Sequence, residues 1–248
     1  MTTSPTYLVT GANSGLGKYL HTHIPGSLGL TRNNSTEILE QCEKLENLVI
    51  LHSAYNARRY MDGFKGILFD DIDYSNYLDD NVFLTMELLT LPHTRFIYFS
   101  SVDIYGPITP YSFLKRCVSE LIGKMAPNHL VLNLPAILGP TMRKNSLLRV
   151  LEDQSTFWSS SASYNYILQS DVLKAILDED ISSLRGTYDF VASTNVTLGE
   201  VATHYKKEVN FGDILYHTYL ERMEVSNNIH PAKDRTSWDT IKLFLGET

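Results

Sequence analysis

Residues 7–17 read Tyr-Leu-Val-Thr-Gly-Ala-Asn-Ser-Gly-Leu-Gly, and the architecture follows from them. The apolar start predicts a strand, and the spaced glycines predict a tight turn that opens a helix over about 18–24. Glycines there let backbone N–H groups approach a pyrophosphate, and the helix N-terminus adds partial positive charge. We therefore expect a dinucleotide site formed by Gly11, Asn13, Ser14, Gly15, Leu16 and Gly17. The simpler interpretation is an ordinary tight turn.

Strand and helix patterns alternate along the following chain. Apolar runs predict strands near 28–31, 48–51, 96–99 and 130–134, and helical spacing separates them at about 36–45, 74–89 and 111–125. Such alternation indicates an α/β fold with a doubly wound parallel sheet, the Rossmann arrangement. We expect a dinucleotide-binding domain over 1–140. The less regular residues 141–248 are expected to form a small C-terminal substrate cap, interleaved with the last sheet elements in one compact unit.

The composition excludes several classes of protein. The 248 residues are 43% hydrophobic and 20% charged, which excludes a disordered chain. A net charge of −7 argues against a nucleic-acid partner, and no apolar run reaches the roughly 18 residues that span a membrane. The two cysteines and eight histidines show no metal-ligand spacing. The start lacks the pattern of a signal peptide, so we expect a cytoplasmic protein.

The end of the second predicted strand bears on the choice of cofactor. The strand ends Leu30-Thr31-Arg32, without an acidic residue. An acid at this position favours NAD, whereas an arginine favours the extra phosphate of NADP. We therefore expect Thr31 and Arg32 to bind the cofactor, with NADP preferred over NAD. Alternatively, Arg32 is a solvated loop cation.

A second group of residues suggests chemistry. Tyr111 and Lys115 lie four residues apart and share one face of the predicted helix, along its apolar side. A nearby cation favours the phenolate form of a tyrosine, which then exchanges a proton near neutral pH. Ser101 ends the preceding strand, where its hydroxyl is placed to bind the same substrate oxygen. The alternative is a packed tyrosine beside a snorkelling lysine.

Together these segments resemble the extended short-chain dehydrogenase/reductase superfamily, the NAD-dependent epimerase/dehydratase branch. The matching segments are TGANSGLG at 10–17, ILHSA at 50–54, DDNVFLT at 79–85, FSSVDIYG at 99–106, YSFLKRCVSE at 111–120, LPAILGP at 134–140 and VTLGE at 196–200. The resemblance implies a Ser101, Tyr111 and Lys115 triad. It also implies that the cofactor is contacted by His52, Ser53, Ala54, Ser100, Pro135 and Ile137.

Other positions carry alternatives or depart from the family pattern. Asp103 is either a second acid/base or a turn aspartate that caps its loop. Arg143 and Lys144 either bind a substrate phosphate or form a solvated helix start. Only one helix is predicted between the second strand and Leu48, so the family's third strand is expected to be absent or vestigial.

The resulting hypothesis is an NAD(P)-dependent oxidoreductase. It is expected to act on a carbonyl or alcohol carbon of a sugar, and this sugar is expected to be linked to a nucleotide. Two alternatives stay open, an epimerase with retained cofactor and a non-catalytic cofactor-binding regulator. The family habit of pairing the helices around 74–90 and 111–125 implies a homodimer.

Overall fold

A computed structural model describes residues 4–55, 78–178, 181, 183–224, 227–230 and 235–247. The chain divides into two compact units. One comprises Met1–Leu132 with Leu184–Thr187, and the other comprises Asn133–Ser183 with Tyr188–Thr248.

The elements up to the fifth strand alternate as the sequence predicts. They are β1 (Thr6–Thr10), α1 (Gly15–His23), β2 (Leu28–Leu30), α2 (Ser35–Cys42), β3 (Leu48–His52), a π-helix (Asp79–Phe83), α3 (Leu84–Thr90), β4 (Arg95–Ser101), a 3₁₀ helix (Val102–Tyr105), α4 (Pro110–Met125) and β5 (His129–Leu134). The predicted helix over 74–89 is therefore a π-helical turn followed by α3 among the described residues, and its part over 74–77 lies outside them.

The remaining elements are shorter. They are β6 (Ala136–Leu138), α5 (Ser146–Leu151), β7 (Thr156–Trp158), β8 (Ser163–Tyr164), β9 (Tyr166–Leu168), α6 (Gln169–Leu177), β10 (Gly186–Phe190), β11 (Val196–Thr197), α7 (Leu198–His204), β12 (Phe211–Ile214), a 3₁₀ turn (Leu220–Arg222), β13 (Asn228–Ile229) and α8 (Ser237–Leu245).

The main sheet confirms the predicted fold class. Seven strands form it in the order β13-β10-β5-β4-β3-β1-β2, and β1 pairs in parallel with both β2 and β3. Every residue of β3 is buried, as expected of a parallel strand covered on both faces. Between β2 and β3 the fully described chain forms one helix, α2, so the expected absence of the family's third strand is confirmed. As a result β2, only three residues long, is the edge of the sheet.

The apolar core of the first unit fixes the helices that carry the candidate site. Leu8, Ile50 and Phe96 project from neighbouring strands and are fully buried. Val118 and Ile122 of α4 belong to the same cluster, as does Leu88 of α3. Burying an apolar side chain of this size contributes about 1.5–3 kcal/mol. Both helices therefore pack against the central strands of the sheet.

The second unit has its own apolar core. Leu147 and Val150 of α5, Tyr166 of β9 and Val201 of α7 are buried in one cluster with the apolar face of α8. Its short strands form two-stranded pairs, β6 with β9 and β12 with β7, both in parallel. No helix within the described ranges combines the length and the apolarity needed to cross a membrane.

Candidate active site

The glycine turn joins β1 to α1 in the conformation that glycine permits. Gly11 has φ +68° and Gly15 has φ +56°, both in the left-handed region that other residues rarely adopt. The Ser14 N–H donates to the Gly11 carbonyl at 3.3 Å and closes the turn. Helix α1 then begins at Gly15, three residues earlier than the apolar spacing predicts. The start of α1 is therefore continuous with the turn.

The glycines differ in what surrounds them. A Cβ at Gly17 would lie 2.5 Å from the Gly11 carbonyl oxygen and 2.6 Å from that of Thr10, so the helix is pressed against the strand. A Cβ at Gly15 would meet nothing within 4 Å. One position thus serves close helix–strand packing, and the other leaves open space beside the helix N-terminus. This arrangement fits the pyrophosphate of a dinucleotide.

A chain of buried and partly buried hydrogen bonds connects the end of β1, next to the glycine turn, to the end of β3 and to α3. The Thr10 hydroxyl accepts the N–H groups of Ser53 at 3.0 Å and Ala54 at 2.9 Å. Both of its lone pairs are then used, so its own proton must go to Nδ1 of His52, 2.9 Å away. His52 therefore carries its proton on Nε2 and donates to the Thr85 hydroxyl at 2.9 Å, which donates in turn to the Asn81 carbonyl at 2.9 Å.

This chain fixes the residues predicted to line the cofactor. Ser53 also donates through Oγ to the Thr10 carbonyl at 2.6 Å. A Cβ at Gly11 would lie 3.1 Å from the Cα of Ala54, so the segment after β3 touches the glycine turn. His52 itself is 1% exposed, and burial, helped by the nearby Lys115 charge, lowers its pKa to about 3. It is a neutral structural link at physiological pH.

The loop after β2 is held by one asparagine that the sequence analysis did not single out. Oδ1 of Asn34 accepts the backbone N–H and the hydroxyl of Thr31, both at 2.8 Å. Its Nδ2 donates to the Gly29 carbonyl at 2.9 Å. Because the side chain points back into the loop, it makes no capping bond to α2. These hydrogen bonds fix the position of Thr31. Arg32, which follows it in the loop after β2, is exposed.

Helix α4 brings Tyr111 and Lys115 to one place. Thr109 caps it by accepting the Ser112 N–H at 3.1 Å, while the Ser112 hydroxyl accepts the Thr109 N–H at 2.9 Å. Pro110 occupies the first helical position, where its missing N–H costs nothing. Tyr111 therefore lies in the first turn, half-buried, and Lys115 lies one turn later.

Lys115 is enclosed. It is 4% exposed, and its Nζ donates to the Phe99 carbonyl at 2.8 Å. The same nitrogen lies 5.9 Å from the centre of the Tyr111 ring. Burial lowers the pKa of Lys115 to about 7, although the charge of Asp103 opposes this shift. An amine that titrates near neutrality therefore lies beside a phenol.

The serine and the acid predicted near this pair lie at the end of β4. Ser101 is buried, and its hydroxyl oxygen accepts the N–H of Asp103 at 3.2 Å. That bond leaves the Ser101 proton to be donated elsewhere. It also shows that Ser101 caps the 3₁₀ helix that contains Asp103. Ser100, buried as well, accepts a hydrogen bond from Ser119 of α4 at 3.2 Å.

Sequence reasoning missed Tyr55. Its ring meets the Tyr111 ring edge-on at 4.8 Å between centroids and lies 5.0 Å from Nζ of Lys115. Only its place directly after His52-Ser53-Ala54 pointed to the site. The first unit thus brings together the glycine turn's supporting segment, the Tyr111–Lys115 pair and an additional tyrosine.

The other predicted site residues belong to the second unit. Pro135 is buried, and Ile137 pairs with Ile167 in the β6–β9 ladder. Arg143 is exposed, and Lys144 forms an exposed ion pair with Glu152. Within the described chain, no cluster of three histidine, cysteine or acidic side chains is positioned to hold a metal ion.

Comparisons with known proteins identify solved structures that share the fold. No protein-family model matches the chain. No curated protein matches it either. Solved structures do match, over almost the whole chain and at low sequence identity. They include MoeE5 in complex with UDP-glucuronic acid and NAD, with a TM-score of 0.68 and 18% identity over 98% of this chain and 93% of that one.

Two further structures come from named organisms. ADP-L-glycero-D-manno-heptose-6-epimerase of Helicobacter pylori has a TM-score of 0.69 at 16% identity, covering 98% of this chain and 96% of that one. The dTDP-glucose 4,6-dehydratase of Bacillus anthracis in complex with NAD has a TM-score of 0.69 at 14% identity, covering 98% and 97%. This chain therefore has the fold of these nucleotide-sugar epimerases and dehydratases.

Proposed function

We propose that this protein is an NAD(P)-dependent oxidoreductase that acts on a carbonyl or alcohol carbon of a nucleotide-linked sugar. The observation that carries the proposal is the burial of Lys115 one helical turn after Tyr111, with its Nζ 5.9 Å from the Tyr111 ring. An amine is expensive to bury, so its place inside the protein needs a reason. A role in proton transfer explains why it is present.

The chain's own groups have distinct tasks in this chemistry. When bound, the nicotinamide supplies or accepts the hydride. Tyr111 gives its proton to the substrate oxygen or takes it back, and the Lys115 ammonium stabilises the phenolate that forms. Ser101 donates its hydroxyl proton to the same oxygen and so orients the substrate. Solvent then restores the protonation state of Tyr111.

Asp103 has a smaller part in this account. Its backbone N–H is bonded to Ser101, so its position is tied to that of the serine. Its negative charge also raises the pKa of Lys115 against the effect of burial. We propose that Asp103 stabilises the charged form of Lys115. Its role as a second acid or base toward the substrate would depend on the direction of the reaction.

Two features support the substrate class. The structural neighbours carry UDP-glucuronic acid, ADP-heptose and dTDP-glucose in their names. Arg143 supplies an exposed cation for a substrate phosphate. Lys144 is proposed for the same role, in which the phosphate would compete with its ion pair to Glu152.

We further propose that NADP is preferred over NAD. Arg32 follows β2 and no acidic residue lies between Thr31 and Asn34, so a ribose phosphate would meet a cation and no repulsion. Arg32→Ala should reduce kcat/KM for NADPH by about 10- to 100-fold, the usual worth of a charged hydrogen bond, and leave that for NADH nearly unchanged. Equal losses with both cofactors would contradict the preference.

A turnover screen tests the proposed function. The purified protein is incubated with NADPH or NADH and a panel of UDP-, dTDP-, GDP- and ADP-linked sugars and their keto forms. Net oxidation of the reduced cofactor, with conversion of the sugar's keto group to a hydroxyl group, supports a reductase. Interconversion of sugar isomers with copurified, non-exchanging cofactor would replace the reductase by the epimerase. Tight cofactor binding without any turnover would indicate a non-catalytic binding protein.

We also propose that the protein is a homodimer. Large apolar side chains are exposed on the two helices that the family resemblance implicates, namely Met86 of α3 and Phe113 and Met125 of α4, each 42–50% exposed. Cys117 lies exposed on the same α4 surface, whereas Cys42 is buried. Light scattering should give twice the monomer mass, and Cys117 should react slowly with thiol reagents. A monomeric mass, together with rapid labelling of Cys117 but not of the buried Cys42, would contradict the dimer.

A further inference from the structure

Among the described residues, the buried ammonium of Lys115 has fewer polar partners than such a group normally has. Nζ donates to one acceptor, the Phe99 carbonyl at 2.8 Å, although an ammonium has three protons to donate. No carboxylate among the described residues forms an ion pair with it. A buried charge without a partner ordinarily loses its proton. Other groups must therefore contribute to its stabilisation.

Aromatic rings surround the nitrogen instead. Nζ lies 4.7 Å from the centre of the Tyr98 ring, 5.0 Å from that of Tyr55 and 5.9 Å from that of Tyr111. All three distances are within the roughly 6 Å over which a ring face attracts a cation. The rings come from three separate elements, β4, the segment after β3, and α4. We call these three tyrosines the aromatic cage.

We propose that the aromatic cage favours the charged form of Lys115 against the effect of burial, and that Tyr55 and Tyr98 are positioning residues for the reaction. This inference rests on the proposed function, in which the ammonium acts on Tyr111. The faces of the rings carry negative charge density, which partly replaces the water lost on burial. Tyr98 is 2% exposed and so holds one side of the cage rigidly.

Tyr55 has a second task in the cage. Its ring meets that of Tyr111 at an interplanar angle of 85° and a centroid distance of 4.8 Å, the edge-to-face geometry that aromatic pairs prefer. The contact fixes the plane of the Tyr111 ring and hence the direction of its hydroxyl. Tyr55 therefore orients the phenol while it stabilises the ammonium.

Two other titratable groups act on or lie near Lys115 in the described part of the chain, Asp103 and His52. Asp103 raises the pKa of Lys115, but outside ion-pair distance. His52, whose ring lies 5.3 Å from that of Tyr98, has a pKa lowered to about 3 and is neutral when Lys115 titrates. Among the described residues, the cage and the Phe99 carbonyl therefore add to the negative potential that Asp103 supplies at Lys115.

A fluorination series tests the cage without changing its shape. Position 98 is occupied in turn by phenylalanine and by mono-, di- and trifluorophenylalanine, which weaken the negative face of the ring stepwise. Lysine is isotope-labelled at Cε, and the resonance absent from Lys115→Met identifies Lys115. We expect its NMR titration midpoint to fall with each fluorine, by roughly half to one pH unit in total. The same series at Phe113, exposed on another face of α4, serves as the control and should not move it.

The kinetic readout follows from the same shift. In an active enzyme, the pH at which kcat falls on the alkaline side should move down in parallel with the Lys115 midpoint. Tyr55→Phe should keep the profile, and Tyr55→Leu should lower kcat with little change in cofactor KM. If the position 98 variants do not fold, the same fluorinated residues at the half-buried position 55 supply the titration.

The outcomes separate this inference from the proposed function. A Lys115 midpoint that stays constant along the fluorination series overturns the cage, even if the enzyme turns over its substrate. A midpoint that moves in a protein without any turnover supports the cage and overturns the proposed function. Movement of both the midpoint and the kinetic profile supports both.

Discussion

Nζ of Lys115 lies 5.9 Å from the centre of the Tyr111 ring and donates to the Phe99 carbonyl at 2.8 Å. The spacing follows from one turn of α4, which sets the two side chains on one face. The carbonyl belongs to β4, so the lysine connects the helix to the strand that ends at Ser101. Three predicted catalytic residues are thereby held by two elements that share one apolar core.

The pyrophosphate role of the glycine turn is tested by a matched pair of alanines. Gly15 and Gly26 both have positive φ and both leave open space where a Cβ would be, so each alanine should cost about 1 kcal/mol of stability. Only Gly15 lies in the turn. We expect Gly15→Ala to weaken cofactor binding by at least about tenfold, since its methyl group occupies the space left for the pyrophosphate. Calorimetric titration and thermal melts of both variants give the two quantities. Equal affinity in both would argue for an ordinary turn.

Lys115 is expected to make the folded state more stable as the pH rises above 7. Its pKa is about 7 in the folded protein and about 10.5 when unfolded, so the unfolded chain holds the proton over this range. Rising pH from 7 to 10.5 therefore favours the folded state through this group. Relative to Lys115→Met, the wild type should gain roughly 2 kcal/mol of unfolding free energy between pH 7 and 9. Urea titrations at several pH values measure the difference.

The comparison with Lys115→Met removes the contribution of other groups. Burial raises the pKa of Cys42 to about 11, which lowers stability above pH 9 equally in both proteins. A difference that stays constant across pH 7–9 would mean that Lys115 is not an amine of lowered pKa.

His52 makes stability fall in acid. Its pKa is about 3 folded and about 6.5 unfolded, so the folded state is favoured fully above pH 6.5 and loses this advantage as pH falls toward 3. The slope is about 1.4 kcal/mol per pH unit. His52→Gln, whose amide accepts from Thr10 and donates to Thr85, should be less sensitive to acid. Unfolding curves measured from pH 7 to 4 check this prediction. An equal loss of unfolding free energy in the wild type and in His52→Gln would contradict a neutral, buried His52.

Much of the first unit could be predicted from local pattern. The strand–glycine–helix start and the Tyr111–Lys115 spacing each lie within one short continuous segment of the chain, where local pattern is informative. The link from Thr10 to His52 and Thr85 could not, because it joins residues 42 and 33 positions apart through the sheet. Nor does sequence spacing reveal the π-helix at Asp79–Phe83, which places the Asn81 carbonyl against Thr85. The side chain of Asn81 is itself buried, with 4% exposure.

The second unit was less predictable for a related reason. Its strands have two to five residues, too short for alternation to rise above chance, and they pair across long loops. The helix predicted from Arg143 begins at Ser146, because the side chain of Asn145 caps it by accepting the Leu148 N–H at 3.1 Å. Tyr55 was missed because its contacts to Tyr111 and Lys115 arise from tertiary packing alone.

The most direct measurement is the turnover of Tyr111→Phe on any nucleotide sugar that the wild type converts. Phenylalanine keeps the ring against Tyr55 and Lys115 and removes only the proton donor. We predict a loss of kcat of at least about a hundredfold, the usual worth of a positioned acid or base, with cofactor affinity within about twofold of wild type. Turnover at the wild-type rate, with the cofactor bound equally well, would contradict the assignment of Tyr111 as the proton donor.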